Sequence, residues 1–395
     1  MAAETRTIAP PGLLAAPAAR PETAGLYLHV PFCARLCPYC DFDTQDHDLQ
    51  LIAPYAEALV REVGLAPAAR LHSIFFGGGT PSLLRPEQLR AVLDACRVRF
   101  TLEPGCEITV ECNPNNVREA RLAGYRAAGV NRLSLGVQSM EDQELRLFGR
   151  QHTAERLRHA VVTARAAGFD DLSLDLMYGL PGQTLADWEH TLDAALALAP
   201  EHLSCYLLTL EEGTPMGQRV ARGEVALPDD DLVAAQYELT RAHLATAGLR
   251  QYEISNWARP GRESRHNLGY WRAEPYLGLG PGAVSNLGGV RRKQTPVVAE
   301  YLTGIAAGRQ RYVDEEPLDA ATQRREALML GLRLRAGVDG AAYRARFGCT
   351  VEEICGAALN ELAATGFLEW EDGRLRLAQR ALLVSNEVLV RLGLA

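Results

Sequence analysis

Cys33-Ala34-Arg35-Leu36-Cys37-Pro38-Tyr39-Cys40 sets three thiols within eight residues, just past the apolar run Gly25–Val30 that reads as a first strand. Thiolates are soft ligands for iron–sulfur clusters or zinc, and such crowding seldom serves packing. A cubane needs one protein ligand per iron, so three cysteines leave one iron open, and an open position is where a metal site does chemistry. Zinc would need a fourth ligand, for which His29 and His47 are near enough in sequence. Zinc sites usually pair two short-spaced doublets, however, and no second doublet follows. The C-x3-C-x2-C spacing wraps one corner of a compact object and suits a cubane better. Nine cysteines, an odd number, are too few for a disulfide scaffold in 395 residues. The triplet is what a reducing cytosol would keep as thiolates. Cys96, Cys106, Cys112, Cys205, Cys349 and Cys355 are expected to be small buried hydrophobes.

Outward from the triplet, short β-rich runs alternate with helical patterns as far as Leu210. Strands are expected at Leu26–Val30, Ser73–Gly77, Glu107–Glu111, Arg132–Gly136, Asp171–Met177 and His202–Leu208. Amphipathic helices are expected near Leu51–Val63, Pro86–Val98, Asn116–Ala128, Thr153–Ala167 and Thr184–Leu198, with Gly129 and Gly168 as C-caps. Strand–helix alternation at this spacing implies parallel strands with right-handed crossovers. Six units fit either a doubly wound sheet or an incomplete (β/α)6 barrel, and both put ligands at the C-terminal ends of the strands. Cys33–Cys40, Gly77–Thr80, Glu111, Gln138 and Asp175 all fall within or just past those ends.

Gly77-Gly78-Gly79-Thr80-Pro81-Ser82 lets backbone approach a ligand closely but lacks the lysine of a phosphate loop. Glu111, Asp175 and Arg150 are either structural ion pairs or, taken together at one mouth, a seat for a zwitterionic ligand carrying a ribose. His266-Asn267-Leu268-Gly269-Tyr270-Trp271 reads as a loop pinned by aromatic packing with an exposed histidine; the competing reading makes His266 a metal or proton ligand beside a flat aromatic platform.

Beyond Pro215 a long helix, about Asp229–Gly248, leads into a stretch from Ser255 to Asn286 expected to be loop-rich. Helical patterns follow, with a hairpin at Phe367–Trp370 and Arg374–Leu377. The expected division is a disordered tail over 1–24, a barrel over 25–250, a loop-rich segment over 251–315 and a mainly helical, winged-helix-like domain over 316–395. A net charge of −8 argues against nucleic acid as a partner and gives the wing a packing or lid role. No signal peptide and no apolar run of membrane-spanning length is visible, which predicts a cytoplasmic protein.

Together these stretches resemble the radical S-adenosylmethionine (SAM) family, from Gly25 to Leu394. The resemblance rests on Tyr27-Leu28-His29-Val30-Pro31-Phe32-Cys33, Gly77–Ser82 and Leu176-Met177-Tyr178-Gly179-Leu180-Pro181-Gly182-Gln183-Thr184. It implies a 4Fe–4S cluster on Cys33, Cys37 and Cys40, with SAM chelating the open iron. Within the family the chain is similar to the branch of oxygen-independent coproporphyrinogen III oxidase. The oxidase type, HemN, carries a further cysteine where this chain has Phe42, whereas His-Asn-x-x-Tyr-Trp marks the HemW-type heme chaperones. That likeness implies heme binding and transfer to an acceptor protein, with porphyrinogen decarboxylation as the alternative activity. By motif position it assigns Tyr27 and Gly78 to cluster-bound SAM, and Glu111 to its ribose. Tyr39, Gly79, Thr80, Gln138, Arg150 and Asp175 fall on a second SAM site. HemW-type chains usually have Gly-Ala-His where this one has Gly282-Ala283-Val284, which leaves His266 as the candidate heme ligand. The expected assembly is a monomer or weak homodimer, with any membrane contact peripheral and made through the acceptor.

Overall fold

The computed structural model describes residues 22–44 and 48–394. The expected tail lies outside the described residues up to position 21, and so does His47. At its end the tail assignment is corrected, because Thr23 and Ala24 are already strand. They pair with Arg70 and Leu71 at the start of β1 (Thr23–Val30), and Ala24 is wholly buried.

Five more strands follow: β2 (Arg70–Gly78), β3 (Thr101–Cys112), β4 (Arg132–Gln138), β5 (Leu172–Tyr178) and β6 (His202–Leu207). Each pairs in parallel with the one before it. The crossovers carry α1 (Ile52–Leu65), α2 (Pro86–Arg99), α3 (Glu119–Ala128), α4 (Asp142–Leu147), α5 (Ala154–Ala166) and α6 (Leu185–Leu196). This is the expected α/β partial barrel. Pro86 stands in the first turn of α2, and Gly129 ends α3 at φ 105°. Helix α4 was not anticipated, since six residues are too few to show a 3.6-residue period.

Along the strands alternate residues face opposite sides. Leu26, Leu28, Val30, Ile74, Phe76, Ile108 and Val110 are buried in the apolar layer shared with the helices. Their neighbours Tyr27, Ser73, Glu107, Thr109, Glu111, Ser134, Asp175, His202 and Ser204 point to the barrel axis. Strands covered on both faces usually read as continuous apolar runs. These alternate because the inner face is polar, and the chemistry lies there.

Helices α7 (Pro215–Ala221) and α8 (Asp230–Thr246) complete the wall. Trp188 of α6 is fully buried and donates from Nε1 to Thr240 Oγ1 of α8 at 2.8 Å. Burying such a side chain contributes roughly 1.5–3 kcal/mol.

The stretch expected to be loop-rich is ordered as short elements: β7 (Arg250–Glu253), β8 (Asn256–Ala258), α9 (Arg265–Trp271), β9 (Tyr276–Leu279) and β10 (Val284–Leu287). Elements this short, broken by Gly and Pro, carry too little periodicity to be legible. Strand β9 joins the other side of β1 in parallel. It is continued by β10, β11 (Val290–Gln294) and β12 (Tyr312–Pro317), while β8 and β7 extend the β6 side. Among the described residues the sheet therefore has twelve strands, with β7 and β12 at its two edges.

After α10 (Val298–Ala306), which lies between β11 and β12, the chain forms α11 (Ala320–Gly331), β13 (Val338–Asp339), α12 (Gly340–Phe347) and α13 (Val351–Ala364). The expected hairpin is β14 (Leu368–Glu371) with β15 (Arg374–Leu377), and α14 (Ser385–Arg391) follows. Strand β13 adds to β15, giving the small three-stranded antiparallel sheet of a wing. No helix among the described residues is long and apolar enough to cross a membrane.

Candidate cluster and cofactor site

The cysteine loop leaves the C-terminal end of β1 and folds back across the ends of β2 and β4. Gly79 donates its N–H to Val30 O at 2.8 Å. A Cβ on Gly79 would lie 2.7 Å from Phe32 O and 2.9 Å from Cys33 Sγ, and Gly78 takes φ 110°, so the glycine run lets the loop sit on the strand end. Thr80 Oγ1 lies 3.6 Å from Cys33 Sγ, and Arg150 Nη1 lies 3.5 Å from Cys37 Sγ. Tyr39 meets Phe148 edge-on at 5.0 Å. On the other flank His29 accepts the Tyr27 hydroxyl at Nδ1 (3.0 Å) and donates from Nε2 to Asp43 O (2.9 Å), and Lys293 pairs with Asp43 at 3.0 Å. The loop is thus tied to β1, β2 and β11.

All three thiols are free and half-buried, and burial pushes those of Cys33 and Cys40 up. Among the described residues no three His, Cys, Asp or Glu side chains converge as ligands of a single ion. Three free thiols on one loop above a glycine cradle are the donor set a cubane takes, one iron to each cysteine. The residues fit a cluster. Of the remaining cysteines five are buried as expected, and Cys349 is half-buried.

Below the loop a cavity of about 170 Å3 runs down the barrel axis, lined by Tyr27, Glu111, Asp175, Tyr206, His266 and Tyr270 among others. Glu111 accepts the N–H of Gly78 at 3.2 Å, linking the glycine run to the lumen. Burial and then the neighbouring Asp175 push its carboxyl up to about 8. Asp175 is also raised by burial, while hydroxyls from Ser134 (2.8 Å), Ser204 (2.8 Å) and Ser173 (3.2 Å) donate to it and oppose the rise. Arg132, the cation nearest the floor, is committed to Asp171 at 2.6 Å. Among the described residues neither Glu111 nor Asp175 makes an ion pair, and Arg132, which also lines the cavity, acts on Asp175 only from a distance. The serines and Thr109 were missed in the sequence. Their signal was register, two residues from an inward carboxylate or directly across from one.

Gln138 takes φ 63° at the end of β4, and its Oε1 is buried without a partner. A non-glycine residue held there costs of order 1–3 kcal/mol and commonly marks a ligand clamp. Gln138 and Arg150 both lie over Gly136. The expected site residues thus form two groups. Cys33, Cys37, Cys40, Tyr39, Gly79, Thr80 and Arg150 gather at the loop; Tyr27, Glu111, Asp175 and His266 line the cavity; Gly78 and Gln138 are the last residues of β2 and β4.

His266 corrects the expectation of an exposed histidine, being only 3% exposed. Helix α9 seats it in the floor of the lumen, where Nδ1 bonds Ser73 Oγ at 2.9 Å and Nε2 bonds Tyr270 OH at 3.0 Å. Phe75 stacks on it at 5.0 Å. Burial and then His72 bring it down to about 3, so the ring is neutral. The carboxylate of Glu107 caps the helix, taking the N–H groups of Arg265 (3.0 Å) and His266 (3.1 Å). Val284 is half-buried on β10.

A half-open parallel barrel with a three-cysteine loop at its mouth and carboxylates in its lumen is the architecture of the radical SAM proteins. Residues 27–195 match the Radical SAM superfamily, and residues 318–384 match the HemN C-terminal domain. Heme chaperone HemW of Mycobacterium tuberculosis is 39% identical over 386 residues, covering 96% of each chain. The Bacillus subtilis protein of the same name is 37% identical, covering 92% of this chain and 97% of that one. The mitochondrial radical S-adenosyl methionine domain-containing protein 1 of Danio rerio is 33% identical, covering 93% and 86%. In fold, the chain is similar to the structure of coproporphyrinogen III oxidase (HemN) from Escherichia coli, with TM-score 0.82 and 22% identity, covering 94% and 90%. The chain belongs to the radical SAM superfamily and, within it, to the family of proteins named heme chaperone HemW.

Proposed function

We propose that the protein binds heme and hands it to an acceptor protein, using a 4Fe–4S cluster on Cys33, Cys37 and Cys40 together with SAM. The observation that carries this reading is near full-length similarity to heme chaperones, joined to the residue at position 42. Where the oxidase type would place a further cysteine, Phe42 stands 65% exposed. An apolar ring on the surface of the cluster loop suits contact with a flat apolar ligand better than thiol chemistry.

Tyr27, Gly78 and Glu111 would seat SAM against the cluster, and Tyr39, Gly79, Thr80, Gln138, Arg150 and Asp175 would surround a second molecule. The cluster, once bound, supplies an open iron and a one-electron couple. What the chain contributes is orientation: the glycine run offers backbone, Glu111 and Asp175 offer acceptors to hydroxyl or ammonium groups, and the lumen limits water. Held by these residues, a cluster and SAM would supply a redox or conformational switch. Heme ligation by His266 would require one of its two internal hydrogen bonds to open, because both ring nitrogens are engaged. The cytoplasm is the proposed compartment, since the thiols must stay reduced to take up iron.

Titrating heme into anaerobic, cluster-loaded protein tests the reading. A stable stoichiometric complex that loses its heme to an apo-acceptor is expected. Turnover of coproporphyrinogen III with release of 5′-deoxyadenosine, and no retained heme, would replace it with the oxidase reading. Cys37→Ser should abolish the iron–sulfur absorption, and its survival would sink the cluster assignment.

A further inference from the structure

Arg150 is a cation without a carboxylate. Among the described residues its side-chain hydrogen bonds go to Cys37 Sγ and Gly136 O and to no Asp or Glu, and its Nε is buried without a partner. Its position is nevertheless fixed. The turn after α4 brings its backbone N–H to Leu145 O at 2.9 Å, and Nη2 donates to Gly136 O at 2.9 Å. Gly149, at φ 64°, lets this turn press on the cysteine loop, since a Cβ there would come 3.1 Å from Pro38 Cδ. The loop is held from its other side by Met216 N–H donating to Pro38 O at 2.8 Å. The remaining donor, Nη1, points at Cys37 Sγ at 3.5 Å, within range of a hydrogen bond to sulfur.

Partly desolvating a guanidinium is costly unless an anion compensates it. Here the Gly136 carbonyl supplies only a dipole, and among the protein's own described groups the one within hydrogen-bond range that becomes an anion on taking up iron is Cys37 Sγ, whether or not a second SAM is bound. Hydrogen bonds to ligating sulfur and nearby charge are two of the levers that set an iron–sulfur potential. A cation at this distance stabilises the extra negative charge of the reduced state more than that of the oxidised state.

We propose that Arg150 is a positioning residue for the cluster, donating to Cys37 Sγ and holding the reduction potential of the loaded protein up. The inference rests on the cluster assignment above. Its charge and its bond act separately, so the charge-conserving variant retains part of the effect.

The test is an EPR-monitored redox titration of anaerobically reconstituted protein. Arg150→Gln is expected to bind iron and sulfide as the parent does while its midpoint potential falls. Arg150→Lys should fall less, because the charge remains and the two-pronged geometry is lost. An unchanged potential in a fully loaded Arg150→Gln overturns the proposal. If Arg150→Gln holds no cluster, an unchanged potential in Arg150→Lys overturns it instead. Failure of the parent protein to load a cluster would count against the functional reading, which keeps the two failures distinct.

Discussion

Glu111 stands in an environment that takes it far from its ordinary chemistry. Buried beside a second carboxyl, it holds its proton to about pH 8. The folded protein then binds a proton that the unfolded chain has released, so this group costs stability as pH rises from the ordinary carboxylate range toward 8. A ribose diol needs the ionised form as acceptor. Binding SAM below pH 8 would therefore expel a proton, and affinity is expected to weaken by up to about tenfold per pH unit. Dialysis or calorimetry between pH 6.5 and 9 checks this. Glu111→Gln should bind more weakly with a flat profile, and a parent profile that is itself flat would remove Glu111 from the ribose.

At the scale of the element, α9 is the part of the molecule that most changes its meaning. As sequence, His-Asn-Leu-Gly-Tyr-Trp looks like a surface loop; as structure it plugs the lumen, with Glu107 at its start and His266 at its core. Replacing His266 with Ala leaves the Ser73 and Tyr270 hydroxyls unpaired beside a new void, at an expected cost of about 2–4 kcal/mol. Urea unfolding measures it. A variant as stable as the parent, yet unable to hold heme, would mean that the ring serves ligation and not the plug.

For the whole molecule the decisive contact is Glu62. This fully buried carboxylate of α1 accepts hydrogen bonds from Gly280 N (2.8 Å), Tyr301 OH (2.8 Å), Gln294 Nε2 (2.9 Å) and Gln310 Nε2 (3.0 Å). Those donors come from the segment running from β9 to β12, so one side chain fastens the extra strands to the barrel. The same segment reaches the cysteine loop through Lys293 and Asp43. Glu62→Ala strands four donors, three of them buried, and should cost about 3–5 kcal/mol, with hydrogen exchange rising first in β9–β12. Unaltered exchange there would show that the strands hold without it.

Local order was legible wherever one element carries its own period or chemistry. The six strands, their helices, the three cysteines and the glycine run each declare themselves within a dozen residues. The inward carboxylates could be named because they interrupt apolar runs. What lay beyond reach was pairing between distant segments. Neither the seat of β9 beside β1 nor the serines around Asp175 leaves a mark in local sequence, and the same is true of the floor built from His266 and the four donors on Glu62. Each depends on burial and on hydrogen bonds between residues far apart in the chain, which exist only after the barrel has formed. Sequence by itself determined that three thiols would stand at the mouth of a parallel sheet. Only the tertiary structure decided that one of them faces an arginine which no described side-chain carboxylate pairs, because that charge balance is a property of neighbours in space.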